Sequence, residues 1–136
     1  MRDDLTMTEI LHGRHFVVTL DEPARLVRRV RTEERFDSLQ QLEATYDELV
    51  RVLDTLDRPR YVQLVDARLS PARNDDAFEA VVGRYHDALY RDFRGVAVLV
   101  KSAAGRLQVR RMLDSSRIEA PVFSDEAEAI AYLSAL

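Results

Sequence analysis

The segment at residues 66–75 carries the residue types with the most chemical potential in this chain. Its sequence, DARLSPARND, follows an apolar run and precedes a helix-like pattern. Arginines can hold an anion, carboxylates can exchange protons, and a serine before a proline can accept a phosphate that pairs with arginine. The predicted partner- or ligand-binding loop therefore consists of Asp66, Arg68, Ser70, Arg73, Asn74 and Asp75.

A structural role accounts for the same residues. Asn74 or Asp75 suits the N-cap of the following helix, and Asp75 and Asp76 favour the positive end of that helix. The same two acids would repel a bound phosphate, and Arg68 and Arg73 would then be local partners of nearby carboxylates. The sequence thus leaves three interpretations open: a connection, a partner-binding or regulated loop, and an active site.

A second basic group lies on the helix predicted at 103–115. Arg106 and Arg110 are four residues apart and share a face, and Arg111 is adjacent. This basic patch would suit an acidic partner, an anionic lipid or nucleic acid, or would simply be solvated. Because the net charge is −4, nucleic acid is not expected as the main partner.

Other catalytic and metal-binding patterns are missing from the sequence. There is no cysteine, no nucleophile elbow and no glycine-rich phosphate loop. His12, His15 and His86 have no evident shared position, and His86 falls off the apolar face of its helix, so we expect it to be solvated. We therefore predict no catalytic residue, no metal and no cofactor.

The composition indicates the class of protein to which the chain belongs. The 136 residues are 46% apolar and 32% charged, which is typical of one globular domain. We predict a polar N-terminal segment at 1–13 and a domain at 14–136. Without a signal-like start or an apolar run of about 18 residues, the expectation is a cytoplasmic protein with no membrane insertion.

Hydrophobic periodicity predicts a single-domain α/β fold in the order β-β-α-β-α-β-α-β-α, a mixed sheet covered by helices. The predicted strands are 15–20, 24–36, 60–67, 95–100 and 120–123. The predicted helices are 39–57, 75–93, 103–115 and 125–136, with Ser38 and Ser124 as caps of the first and last. The arginine-rich strand 24–36 suits an exposed or edge position in the sheet, whereas 95–100 is apolar on both faces and suits its centre.

This element order, with the segments VDARLSPARND and VAVLVKSAAGRLQVRRML, resembles the SpoIIAA-like or STAS-like fold of anti-sigma factor antagonists over residues 14–136. The resemblance implies a cytoplasmic regulatory or protein-binding module without a cofactor. The family's Asp-Ser-Ser-Gly phosphoserine motif is replaced here by residues 66–75, where only Ser70 could stand in. The literal DSS at 114–116 ends a helix instead, so the resemblance is to a branch without that motif.

The first functional hypothesis is accordingly a non-enzymatic regulatory or protein-interaction module that docks an unidentified protein through the 66–75 loop, with homodimerisation possible. One alternative is a small-molecule or lipid-binding protein, although the apolar positions are about those that the core itself needs. The other is an enzyme that uses Asp66, Arg68, Arg73 and Asp75 as acid/base and anion-holding groups.

Overall fold

A computed structural model describes residues 7–73 and 75–136 of the chain. Six β-strands, four α-helices and one short 3₁₀ turn follow one another in the described part. The strands are β1 (Met7–His12), β2 (Phe16–Asp21), β3 (Leu26–Arg31), β4 (Val62–Asp66), β5 (Gly95–Leu99) and β6 (Val122–Phe123). The helices are α1 (Leu39–Leu53), α2 (Asp76–Tyr90), α3 (Ala103–Ser115) and α4 (Glu126–Ser134), and the 3₁₀ turn is Arg58–Arg60.

All six strands form one sheet in the order β1-β2-β3-β4-β5-β6. The first three pair antiparallel, and β3 to β6 pair in parallel. The predicted α/β class and mixed sheet are thus confirmed. The predicted edge position of the arginine-rich strand is wrong, because β3 lies between β2 and β4.

The helices cover both faces of the sheet. Along β4, Leu64 packs with Leu133 of α4, whereas Val65 packs on the opposite face with Leu113 of α3. The core of α1 and α2 lies on the α3 face, against β2 and β3. Successive right-handed crossovers in one direction along a sheet put the intervening helices on the same side, so α1, α2 and α3 share a face and α4 covers the other.

The first strand was not predicted from the sequence. Met7–His12 pairs with β2 and adds a strand within the segment 1–13, which the sequence predicts to be a polar segment before the domain. Alternation along MTEILH is disturbed by an irregularity between Glu9 and Leu11. A bulge shifts the side chains from one face to the other, which removes the period-2 pattern that identifies a strand.

The helix caps largely follow the sequence. The Ser38 hydroxyl accepts from the Gln41 amide at 3.0 Å, and the Gln41 side chain in turn accepts from the Asp37 amide at 2.6 Å. Asp75 caps α2 by accepting from the Phe78 amide. The last helix is capped by Asp125, whose side chain accepts from the Glu128 amide at 3.1 Å, and not by the predicted Ser124, whose hydroxyl accepts from Arg106.

Candidate functional site

The loop that follows β4 lies at the carboxyl end of a parallel strand, where open α/β sheets usually bind ligands. Arg68 holds Asp66 through both side-chain oxygens, with Nε–Oδ1 at 3.0 Å and Nη2–Oδ2 at 2.8 Å. Arg68 also donates to Glu126 of α4, which accepts two further bonds from Arg28. This network of four charged residues ties the start of the loop to α4.

The network keeps Asp66 ionised. Burial on its own would raise the pKa of this carboxyl, but hydrogen bonds from the Arg68 side chain and amide, with the charges of Arg68 and Arg28, lower it below its usual value. A carboxyl group held in this way is already ionised near neutral pH. It has no proton to donate and is therefore a poor general acid. Its role is to fix the loop.

The second half of the predicted loop site lies on the opposite face of the sheet, on the side of α2 and α3. Arg73 donates from Nε to Asp75 at 2.6 Å and lies over the Phe78 ring, and its carbonyl accepts from Gln108 of α3. The structure therefore does not bring Arg68 and Arg73 together, nor Asp66 and Asp75. Asn74 lies outside the described residues.

The basic patch on α3 is engaged within the molecule. Arg106 donates to the Val122 carbonyl at 2.7 Å and to Ser124, and Arg110 donates to the Ala120 carbonyl at 2.8 Å. Arg111 pairs with Glu79 of α2 at 2.5 Å. The shared face of Arg106 and Arg110 thus holds residues 120–124 against the helix.

A cavity of about 120 Å³ lies between the sheet and the α1–α3 layer. Most of its wall is apolar, and Ser70 and Pro71 of the loop contribute to it. Its polar wall includes two β3 side chains, Arg29 and Arg31, together with His86 of α2. The cavity is thus the place where the predicted loop meets buried polar groups.

Arg29 is a buried cation without a carboxylate partner among the described residues. It is 4% exposed; its Nε donates to Gln63 Oε1 at 2.9 Å, and its guanidinium carbon lies 5.4 Å from the centre of the Tyr90 ring. Its Nη2 is buried and has no hydrogen-bond partner. An unpaired buried charge costs on the order of several kcal/mol, so the Arg29 guanidinium could pair favourably with an anion placed in the cavity.

Arg31 lies beside it on the same face of β3. Its guanidinium stacks on Phe36, with 4.7 Å to the ring centre, and donates to the Thr32 carbonyl. It forms no ion pair in the described part of the chain, and burial lowers its pKa from the ordinary arginine value. Arg31 also lines a second, outer space of about 320 Å³, with Arg35, Phe36, Ser70, Pro71, Arg73 and Phe78; we call this space the vestibule.

The prediction that His86 is solvated is wrong. The residue is 5% exposed, its Nδ1 lies 2.7 Å from the Ser116 hydroxyl, and its ring contacts Tyr90 edge-on. Burial, with a smaller contribution from the charge of Arg29, lowers the pKa of His86 to about 4. The imidazole is therefore neutral at pH 7 and leaves Arg29 and Arg31 as the charged groups of the cavity wall.

The histidines have separate surroundings. His12 contacts Glu9, and His15 stacks on Phe36 and contacts the Arg35 carbonyl. No group of three or more metal-binding side chains converges within residues 7–73 and 75–136. In the same residues, no helix combines the length and apolar character required to cross a bilayer.

Sequence reasoning missed Arg29 and Arg31. The usable signal was the strand LVRRVR, in which Val27, Arg29 and Arg31 share one face. Charged residues on the same face as an apolar one were interpreted as protection of a sheet edge. Had the strand been placed in the interior, the same pattern would have indicated cations directed under the helices.

Comparison of the chain with protein-family models, with curated proteins and with solved structures finds no match.

Proposed function

We propose that this protein is a non-enzymatic regulatory module that binds a small organic anion in the cavity between β3 and the α1–α3 layer. The observation that carries the proposal is Arg29, a buried guanidinium that lines the cavity without a carboxylate partner in the described residues. An anionic ligand would supply the missing partner. The apolar wall would receive the body of the ligand, as expected for small-molecule sites.

The size of the cavity supports a small ligand. An apolar cavity of about 150 Å³ can take a benzene ring, and the space beside Arg29 is about 120 Å³. A lipid chain would need a longer groove. We therefore favour a compact acid over a lipid.

The loop provides a connection from the cavity to the surface. Ser70 and Pro71 line the cavity, while the neighbouring Leu69 is 54% exposed. A ligand that contacts Ser70 and Pro71 changes the free energy of this loop, and a protein that docks on Leu69 would detect the change. This arrangement supports the regulatory, protein-binding character that the SpoIIAA-like resemblance implies.

An enzyme based on Asp66, Arg68, Arg73 and Asp75 is not supported. The first two pair with each other and with α4, and the last two pair with each other on the opposite face. None of the five best-formed pockets in the described residues is lined by all four.

Titration calorimetry with benzoate, and with neutral benzamide of the same shape, tests the proposal. Benzoate is expected to bind with a 1:1 stoichiometry and to raise Tm by several degrees at saturation, whereas benzamide binds much more weakly. Arg29→Met removes the benzoate response, and Arg84→Met, at an exposed arginine paired with Glu43, retains it. Arg29→Lys provides a charged alternative if the methionine variant fails to fold. A lack of saturable binding by benzoate and by other small monocarboxylates would refute the proposal.

A further inference from the structure

The cavity and the vestibule are adjacent. Both are lined by Arg31, Ser70, Pro71 and Phe78. A molecule that is bound beside Arg29 and is long enough to reach Arg31 would therefore approach the vestibule. The volume of the vestibule, about 320 Å³, exceeds that of the cavity.

The vestibule is a second cationic space. Arg35, like Arg31, forms no ion pair in the described part of the chain, whereas Arg73 is engaged by Asp75. Two arginines without an ion pair among the described residues thus line the outer space, and Arg29 lines the inner cavity.

Acidic side chains are excluded from both walls. The protein has 24 Asp and Glu residues against 20 Lys and Arg, yet none of the described acids lines the cavity or the vestibule. The described charged side chains that line the two spaces are therefore all arginines, in a protein whose net charge is −4. One negative charge on a ligand would neutralise only part of this positive charge.

The spacing along β3 sets a separation between the two anionic positions. Arg29 and Arg31 are two residues apart on one strand face, so their Cα atoms are about 7 Å apart. Aromatic rings line the same cavity as these two arginines, namely those of Phe16 and Phe78. A flat body with an anionic group at each end would fit this arrangement.

We infer that the natural ligand is a small organic dianion with a flat apolar body. One carboxylate pairs with Arg29 in the cavity, and the other pairs with Arg31 and Arg35 in the vestibule. This inference rests on the proposed function, since it assigns the ligand class to the same site. Inorganic phosphate lacks the apolar body that the cavity wall would contact, and it is expected to bind weakly.

Three aromatic acids test the inference by calorimetry. Terephthalate carries carboxylates at opposite ends of its ring, phthalate carries the same charge on adjacent carbons, and benzoate carries one carboxylate. Terephthalate is expected to bind at least about tenfold more tightly than either of the others. In Arg35→Gln this advantage falls to about twofold while benzoate affinity stays unchanged, and Arg84→Gln is the matched surface control.

The outcomes separate the two proposals. Equal affinity for terephthalate and benzoate would overturn the inference that the ligand is a dianion, and it would leave the proposed anion site intact. Equal affinity for terephthalate and phthalate would show that only the total negative charge matters and not the separation of the two carboxylates. This result would also overturn the inference of a dianion with a carboxylate at each end. Failure of all three acids to bind would refute the proposed function itself.

Discussion

Among the described residues two arginines are buried, Arg29 and Arg58, and their surroundings differ. Arg58 donates to Asp54 at 2.8 Å and to the Arg91 carbonyl at 3.0 Å, and lies over Phe93. Arg29 has only the amide oxygen of Gln63 and the Tyr90 face. The partners of Arg58 compensate its charge, as expected of a structural residue. Arg29 keeps a buried N–H group without a partner, which a ligand could use.

The contrast predicts different costs of removing each arginine. Arg58→Met is expected to lower the free energy of unfolding by about 2 kcal/mol, because charge-assisted hydrogen bonds are lost. Arg29→Met leaves Gln63 Oε1 without its donor but also removes an uncompensated charge, so the net change is within about 1 kcal/mol. Urea unfolding of both variants measures these two changes in the free energy of unfolding. A loss in Arg29→Met as large as in Arg58→Met would make Arg29 a structural residue.

His86 predicts a pH dependence of stability. Its pKa is lowered to about 4 in the folded protein, against about 6.5 in an unfolded chain. The unfolded state therefore binds the proton first as pH falls, and the stabilising contribution, complete above pH 6.5, is lost progressively between about pH 6.5 and 4. The loss amounts to about 3 kcal/mol.

Urea unfolding at several pH values checks this contribution. His86→Gln, which does not titrate, should flatten the pH dependence in this window. His15, whose pKa is also lowered by burial, leaves some slope in the variant. An unchanged slope in His86→Gln would contradict the assignment.

At the scale of elements, the start of α2 combines two roles in one residue. Asp75 caps the helix through the Phe78 amide and also pairs with Arg73, which lines the vestibule. The cap needs only a side-chain oxygen, whereas the ion pair needs the charge. Substitution can therefore separate the two roles.

Asp75→Asn is expected to retain the cap and to release Arg73, so that terephthalate binds several-fold more tightly and Tm changes little. Asp75→Ala loses the cap as well, and its Tm should fall by about 4 °C. Calorimetry and thermal unfolding monitored by circular dichroism measure both effects. If Asp75→Asn bound terephthalate no better than the wild type, Arg73 would not contribute to the vestibule.

At the scale of the whole molecule, β1 belongs to the same sheet and core as the rest of the described chain. It pairs with β2 over five register positions, and Ile10 and Leu11 pack against the core of α1 and α2. The sequence had placed this segment outside the domain. Its removal would expose the full hydrogen-bonding edge of β2.

A chain that begins at Arg14 is therefore expected to lose at least about 2 kcal/mol of stability, from two apolar side chains and a strand pairing. A chain that begins at Met7 is the matched comparison. The urea midpoints of the two chains measure the difference. Equal midpoints would restore residue 14 as the start of the folding unit.

The sequence by itself determined the local elements. The apolar spacing from Leu42 to Leu53 predicts α1, and Ser38 and Gln41 predict its cap; the structure contains both. The apolar run at 95–100 predicts a central strand covered on both faces; β5 is covered on both faces but is the fifth of the six strands. These features depend on periodicity and on hydrogen bonds within a few residues, which a single chain displays directly.

Only the tertiary structure decided which charged residues meet. Arg68 and Arg73 are five residues apart in the loop but have different partners on opposite faces. Arg29 and His86 come from separate elements and line one cavity, and Gln63 of a third element accepts a hydrogen bond from Arg29. The position of β3 inside the sheet decides whether its arginines point to solvent or beneath helices, and that position depends on the pairing of distant strands, which local sequence patterns do not encode.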